Sequence, residues 1–159
     1  MAKLTFLGAI KGVTGSNYLL ETGRVRVLLD CGLLQGSRKD ESHNAKAFPF
    51  DVRKIDAVVV SHAHLDHSGR LPKLVAEGYS GPVYATNATG ELLDILLRDA
   101  AFLHFRDVEW ENRRRRRAGK KEIEPLYSIE DVESVLGQVD GAPYGSRRQV
   151  ADGVEVCFR

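Results

Sequence analysis

The stretch Ala57-Val58-Val59-Val60-Ser61-His62-Ala63-His64-Leu65-Asp66-His67 runs from an apolar strand directly into a cluster of polar side chains. It holds three of the five histidines of the chain. In an extended segment, side chains two residues apart point to the same side, so His62 and His64 can reach one cation together. Asp66 and His67 follow where the chain turns, and they can reach a second cation. Imidazole nitrogen and carboxylate oxygen both bind zinc, so the stretch predicts a two-metal site.

A single histidine is usually solvated or part of a core, and this alternative applies to each residue taken alone. Here four potential ligands share a fixed pattern within six residues. With ordinary mixed composition, such a pattern arises by chance only on the order of a few times in ten thousand chains. We therefore favour a metal site over a purely structural role for these histidines.

The residues around this cluster resemble a known family. The stretch Ser61–Pro72 resembles the metallo-β-lactamase fold, in particular its β-CASP RNA-processing branch, which includes ribonuclease J and the endonuclease that cuts pre-mRNA at its 3′ end. The segments 7–9, 13–16, 28–32 and 81–86 agree with the same branch. The resemblance covers most of residues 3–100 and weakens over 105–147.

This resemblance implies an α/β fold: the first half of a metallo-β-lactamase αββα sandwich, with a mixed sheet and flanking helices. It also implies that residues 1–159 form the N-terminal part of a metallo-β-lactamase domain. The C-terminal half of that domain and the inserted β-CASP domain are then expected to be absent from this chain.

The resemblance further implies a role for each residue of the cluster. His62 and His64 would bind the first of two zinc ions, and Asp66 and His67 the second. A zinc-activated water would attack the substrate, and Asp66 would also orient that water as a catalytic residue. Asp30 would brace the metal-binding loop without binding metal, although a simple turn-capping role is the alternative.

Other ligands of the family's site cannot be placed in this sequence. The family adds a later histidine, an aspartate that bridges the metals, and a histidine from beyond the β-CASP insertion. After His67 the sequence has only His104, inside a helical pattern, and we predict a structural role for it. The chain then stops in a strand-like run, 154–159. We therefore expect a truncated product with weak metal binding, whose activity alone is in question.

Composition limits the number of domains, the class of protein and the partners that the sequence allows. The 159 residues suit one domain, and 43% hydrophobic with 28% charged residues is typical of a soluble globular protein. A net charge of +1 provides no global attraction for nucleic acid. No apolar run approaches the length that spans a membrane. Two cysteines, Cys31 and Cys157, predict reduced, buried thiols and a cytoplasmic location rather than a disulfide framework.

The remaining chain is predicted to alternate strands, turns and helices. Strands are expected over 3–8, 17–21, 25–30, 57–60 and 83–85, helices over 69–77, from Thr86 or Asn87 onward, and from Ser128 to Leu136, and a closing hairpin over 148–158. Residues 33–53 are expected to be an irregular surface loop. Residues 11–16 predict a turn near the rim of the site, with a phosphate-binding loop as the weaker alternative.

A run of five arginines is the second unusual feature: Arg113, Arg114, Arg115, Arg116 and Arg117. Such a run usually marks a solvated helix end or loop. In an RNA-processing protein it becomes a candidate contact for single-stranded RNA, because basic side chains bind phosphates with release of counterions. Few aromatic residues accompany it, so base stacking is a weaker expectation.

Three functions remain open at this point. The leading hypothesis is a zinc-dependent hydrolase that cleaves phosphodiester bonds of RNA. The second is another hydrolase on the same scaffold, such as a thioesterase or lactonase, because one metal core serves many reactions. The third is a non-catalytic fragment that binds metal or a partner, including a homodimer that supplies missing ligands. Endonuclease and exonuclease action are not distinguished.

Overall fold

The computed structural model describes residues 1–10 and 12–159, with the backbone alone at Arg38. Its strands are β1 (Ala2–Phe6), β2 (Tyr18–Thr22), β3 (Val25–Leu29), β4 (Ala57–Val59), β5 (Val83–Thr86), β6 (Val139–Ala142), β7 (Arg147–Ala151) and β8 (Val154–Cys157). Its α-helices are α1 (Arg38–Glu41), α2 (Leu65–Ser68), α3 (Leu71–Ala76), α4 (Asn87–Arg117) and α5 (Ile129–Gln138). None of these helices is apolar over a length that would cross a membrane.

Strands β1 to β6 form one mixed sheet in sequence order. The first three strands pair antiparallel, with Tyr18 opposite both Phe6 and Leu29. From β3 onward the pairing is parallel, and β4 lies between β3 and β5. Strand β4 is buried along its whole length, as expected for a central parallel strand covered on both faces.

The two faces of the sheet are covered differently. One face packs on α3, α4 and α5 through the larger apolar core, whose fully buried members include Leu28, Leu74, Leu93 and Val132. The other face packs against the β7–β8 hairpin through a smaller cluster that includes Val150. The central strands are therefore shielded on both sides, and their carboxyl ends open at one edge of the sheet.

Local sequence explains where the main helices begin. Thr86 caps α4, because its side chain accepts a hydrogen bond from the backbone N–H of Thr89 at 3.1 Å. Ser128 and Asp131 form a capping box at the start of α5. Both starts agree with the sequence-based prediction, as do the closing hairpin and the mixed sheet with flanking helices.

Several predicted elements need correction. Residues 33–53 are not irregular throughout, because α1 is followed by 3₁₀ turns at Ser42–Ala45 and Val52–Lys54. The helix expected over 69–77 is α3, Leu71–Ala76, whereas the short helix α2 before it, Leu65–Ser68, was not predicted. Strand β6 was not predicted at all: its sequence, Val-Asp-Gly-Ala, lacks a β-branched run, and its pairing with β5 creates the strand.

Candidate metal centre

The four predicted ligands lie together just beyond β4, at the carboxyl end of the central strands. The ring centroids of His62 and His64 are 4.8 Å apart, and those of His62 and His67 are 4.0 Å apart. Nε2 of His67 lies 3.6 Å from a carboxylate oxygen of Asp66. The structure thus brings together all four side chains that the sequence singled out.

The candidate donors form two pairs, and among the described residues neither pair belongs to a larger set around one position. In the chain outside Lys11, no group of three or more His, Cys, Asp or Glu side chains is spaced to hold one metal ion. His62 with His64, and Asp66 with His67, nevertheless offer the nitrogen and oxygen donors that divalent zinc prefers. The donor chemistry therefore fits a metal centre, with each pair needing further ligands.

Backbone hydrogen bonds hold residues 61–67, called the ligand loop from here on, in place. Carbonyl groups of three consecutive residues, Leu65, Asp66 and His67, accept hydrogen bonds from the backbone N–H groups of Leu33, Ser16 and Cys31, each at 2.8 Å. These donors come from the segments after β3 and before β2. The shape of the loop is thus set by main-chain contacts that do not involve the ligand side chains.

Gly32 is required by the close approach of these segments. A Cβ atom at this position would lie 1.7 Å from the carbonyl oxygen of Asp66 and 2.8 Å from the backbone nitrogen of His67. Real Cβ atoms do not approach other atoms so closely, so only glycine permits this packing. The Gly that follows Asp30-Cys31 is therefore part of the site's construction.

Asp30 is the central polar group behind the ligands. It is 6% exposed, at the end of β3, with a positive φ of 58° that is uncommon for a residue other than glycine. Its carboxylate accepts hydrogen bonds from the Ser16 hydroxyl (2.8 Å), the Ser61 backbone N–H (2.8 Å) and the Ser61 hydroxyl (3.0 Å). These bonds compensate for the burial of a charged group.

The same carboxylate contacts His67. Nδ1 of His67 lies 2.7 Å from Oδ2 of Asp30. An ionised carboxylate only accepts hydrogen bonds, so Nδ1 carries the proton and Nε2 keeps its lone pair. A ligating histidine is commonly oriented in this way by a carboxylate behind it. Asp30 thus makes more polar contacts than a turn cap requires, and its role in bracing the metal-binding loop stays a prediction.

The surroundings of His62 shift its pKa toward the neutral form. Burial lowers its pKa from the ordinary value of 6.5, and the neighbouring His67 and His64 lower it further. Neutral imidazole is the form that binds metal, because the ligating nitrogen needs a free lone pair. The crowding of the three rings thus favours the ligand-competent state.

The other candidates of the sequence have different roles. Nε2 of His104 accepts a hydrogen bond from the Leu126 backbone N–H at 3.0 Å, which agrees with the predicted structural role. Cys31 is fully buried, and burial raises the pKa of its thiol to about 12, so it is no nucleophile. Cys157 is also unpaired, but it is only partly buried, contrary to prediction.

The arginine run forms the last turns of α4. Arg114 and Arg115 are paired with Glu111, and Arg116 with Glu122. Within the described part of the chain, Arg113 and Arg117 have no ion-pair partner. The run therefore keeps part of its charge available to a ligand.

Two serines near the site were not predicted as functional. Ser16 was interpreted only as part of a turn, and Ser61 only as a spacer before His62. Their hydrogen bonds to Asp30 join segments 14 and 31 residues apart in sequence. A single small polar residue carries no local pattern, so spacing alone could not have identified them. Lys11, the first residue of that predicted turn, lies outside the described residues.

Comparison with known proteins decides the family. Residues 10–146 match the Metallo-beta-lactamase superfamily. The chain belongs to this superfamily. The predicted fold class is therefore confirmed, and a divalent metal is what the family implies for the four clustered ligands.

Individual relatives agree with the predicted branch. Ribonuclease TTHA0252 of Thermus thermophilus is 48% identical over 138 residues, which cover 87% of this chain and 27% of that protein. Transcription termination factor FttA of Methanocaldococcus jannaschii is 39% identical, over 98% of this chain and 22% of that protein. The chain thus spans about a quarter of the length of these curated relatives. Their names agree with the resemblance to the β-CASP RNA-processing group.

A solved metallo-β-lactamase structure from Cronobacter sakazakii is 22% identical to this chain. The match covers 87% of this chain and 41% of the solved chain, with a TM-score of 0.46.

Proposed function

We propose that this chain carries the zinc-binding part of a metal-dependent ribonuclease that hydrolyses phosphodiester bonds in single-stranded RNA. The observation that supports it most is the pair of donor sets, His62 with His64 and Asp66 with His67, which lie side by side in front of the buried Asp30. The ribonuclease and termination-factor relatives favour RNA over an ester or lactone as the substrate.

Each residue of the site has a part in this proposal. His62 and His64 would hold one zinc ion and Asp66 and His67 a second, at the carboxyl ends of β4 and its neighbours. Bound zinc would supply Lewis acidity toward the phosphodiester and lower the pKa of a water. Asp66 would orient that water as a catalytic residue, and Asp30 would hold His67 from behind.

RNA would be held in part by the end of α4. Arg113, Arg114, Arg115, Arg116 and Arg117 are the proposed contacts to phosphates. We propose that Arg113 and Arg117 contribute most, because the other three arginines already have acidic partners. Further metal ligands would come from residues that match the rest of the longer relatives, or from a second copy in a homodimer. The proposed setting is the cytoplasm.

Zinc content and substrate assays test the proposal together. Protein purified by gel filtration should contain zinc, measured by elemental analysis, and His62→Ala with His64→Ala should lower the content. The zinc-loaded protein, or a longer form that includes the remaining ligands, should cleave labelled RNA and leave chromogenic thioesters and lactones intact. Turnover of an ester alone would replace the RNA proposal with the thioesterase or lactonase alternative. Wild-type protein that takes up no zinc from excess zinc in solution, both alone and in the longer form, would contradict the metal site.

A further inference from the structure

The hydroxyl group of Ser61 lies at the centre of three polar contacts. It is 3.0 Å from Oδ2 of Asp30, 3.0 Å from Nδ1 of His62 and 3.2 Å from Nδ1 of His67. A hydroxyl has one proton to donate, so these contacts cannot all be donations from Ser61. The direction of each bond can therefore be worked out.

Asp30 determines the direction of these bonds. Its ionised carboxylate only accepts, so the Ser61 proton points to Asp30. The Ser61 oxygen must then accept from His62, which places the proton of that imidazole on Nδ1. Nε2 of His62 is left with a free lone pair, as is Nε2 of His67, whose Nδ1 donates to Asp30 directly at 2.7 Å.

We infer that Ser61 is a positioning residue. It donates its proton to Asp30 and therefore accepts a hydrogen bond from Nδ1 of His62. One buried carboxylate thereby sets the tautomers of two histidines, one directly and one through a hydroxyl. The two histidines belong to different donor pairs, so Asp30 and Ser61 together would prepare both pairs for metal. The metal-binding consequence of this inference rests on the proposed function, but the tautomers themselves do not.

The surroundings hold this arrangement in place. The backbone N–H of Ser61 donates to Oδ1 of Asp30 at 2.8 Å, so the residue is fixed independently of its side chain. The hydroxyl of the buried Ser16 donates to Oδ2 at 2.8 Å, which holds the carboxylate through a segment other than that of Ser61. Replacement of the Ser61 side chain should therefore change the bond to His62 without moving Asp30.

The tautomers can be read in the metal-free protein by long-range ¹H–¹⁵N correlation spectra of the imidazoles, at a pH where they are neutral. In the wild-type protein, His62 and His67 should both carry the proton on Nδ1. Ser61→Ala should shift His62 toward protonation on Nε2 and leave His67 unchanged. Ser61→Thr keeps the hydroxyl and should restore the wild-type pattern, whereas Asp30→Asn should alter both histidines.

Metal affinity provides a second readout. Loss of a group behind a metal ligand typically weakens binding by 10- to 100-fold, so we expect about a tenfold loss of affinity for the zinc of His62 and His64 in Ser61→Ala. Ser68→Ala is the matched control, since the hydroxyl of Ser68 shares its one proton between the backbone carbonyls of Ala63 and His64 and makes no described hydrogen bond to Asp30. It should lower the melting temperature without a change in either tautomer.

The outcomes separate the two proposals. An unchanged His62 tautomer in folded Ser61→Ala would overturn the role of Ser61, whatever the metal content. A shift of both histidines in that variant would also overturn it, because it would indicate general disturbance of the loop. A wild-type protein with the expected tautomers that binds no zinc would contradict the proposed function and leave the role of Ser61 standing.

Discussion

At the scale of single residues, the site depends on close packing behind the ligands as much as on the ligands themselves. Gly32 permits the backbone after β3 to approach the ligand loop, and Asp30 holds His67 at 2.7 Å. Neither residue would be expected to touch the metal. Their replacement should nevertheless change the site, because Gly32 lies against the backbone of Asp66 and Asp30 bonds the side chain of His67.

Substitution Gly32→Ala tests this packing. The added Cβ would meet the Asp66 carbonyl oxygen at 1.7 Å, so the loop must move and its hydrogen bonds to Ser16 and Cys31 must lengthen. We expect a loss of about 1–3 kcal/mol in the free energy of unfolding, measured by urea denaturation. Zinc affinity should fall in the same variant.

The matched control for this variant is Gly137→Ala in α5. A Cβ there meets nothing within 4 Å, so this change should be neutral or should stabilise the helix by up to about 1 kcal/mol. Equal stability losses in the two variants would show that the close approach at Gly32 is unimportant.

The candidate metal ligands could be predicted from sequence because they are close together along the chain, whereas the groups behind them could not. His62, His64, Asp66 and His67 fall within six consecutive positions, directly after an apolar strand. Ser16 and Ser61 act through bonds that form only when distant segments pack together. Asp30 was predicted through family resemblance, since a lone aspartate at a strand end has several ordinary roles.

At the scale of elements, α4 is the longest helix described, with 31 residues, and its far half is tied to the segment that follows it. Asn112 bonds both the N–H and the carbonyl of Ile123 at 2.8 Å. His104 accepts from the Leu126 backbone N–H. These contacts hold the half of α4 that ends in five consecutive arginines against the segment that follows it.

The bond at His104 predicts a pH dependence of stability. Burial lowers the pKa of His104 below its ordinary value of 6.5, so the unfolded chain takes up a proton at a higher pH than the folded chain does. The contribution of the neutral residue is therefore complete above pH 6.5 and declines as the pH falls below 6.5 toward the lowered pKa.

This dependence can be measured by urea denaturation of wild-type and His104→Gln protein across that range. The glutamine oxygen can still accept from Leu126 but does not titrate. The difference in unfolding free energy between the two proteins should therefore change in favour of the variant as the pH falls. A difference that stays constant with pH would contradict the assignment.

Helices α4 and α5 and strand β6 show where the local sequence is sufficient to predict an element and where it is not. The starts of α4 and α5 were predicted, because Thr86 and Ser128 are capping residues at the beginning of apolar periodic runs. Strand β6 was missed, because Gly141 and Asp140 disfavour an isolated strand. The first pair of residues joining it to β5, Val83 with Val139, is 56 positions apart in sequence, and such distant pairing leaves no local pattern.

At the scale of the whole molecule, the site edge and the hairpin-covered face are separate regions. The β7–β8 hairpin packs on the face of the sheet opposite the main helices, through a cluster centred on Val25, Val27 and Val150. The ligand loop instead emerges at the carboxyl end of β4. Stability contributed by the hairpin should therefore be independent of the geometry of the ligands.

Val150→Ala tests this independence. Val150 is 4% exposed, and its truncation should lower the free energy of unfolding by about 1–3 kcal/mol through lost burial and a residual cavity. Zinc affinity of the folded variant should equal that of the wild type. Val13→Ala is the control, because Val13 is fully exposed at 90% and should tolerate truncation. Reduced zinc affinity in folded Val150→Ala would show that the two regions are coupled.

RNA binding should depend on local charge and not on the charge of the whole chain. Net charge is only +1, so attraction requires a local cluster of basic side chains, and the end of α4 is the proposed cluster. Replacement of Arg113 and Arg117 by Gln should reduce the slope of log affinity against log salt by about 1.4 for single-stranded RNA, at about 0.7 per phosphate contact. Fluorescence anisotropy over a salt series measures this slope.

The control removes the same charge elsewhere. Arg24 and Lys46 are exposed and lie outside the arginine run, so their joint replacement by Gln should leave the slope unchanged. Equal reductions in both double variants would mean that RNA is attracted by charge in general and not by α4.

The backbone anchoring of the ligand loop has a consequence for how such a protein can evolve. The carbonyls of Leu65, Asp66 and His67 are held by N–H groups from other segments, and no ligand side chain takes part in those three bonds. Substitutions at the ligand positions should therefore abolish metal binding while the backbone of the loop keeps its shape. A duplicated copy could lose or exchange its ligands one at a time and still fold, so its descendants are free to acquire another metal or a purely binding role.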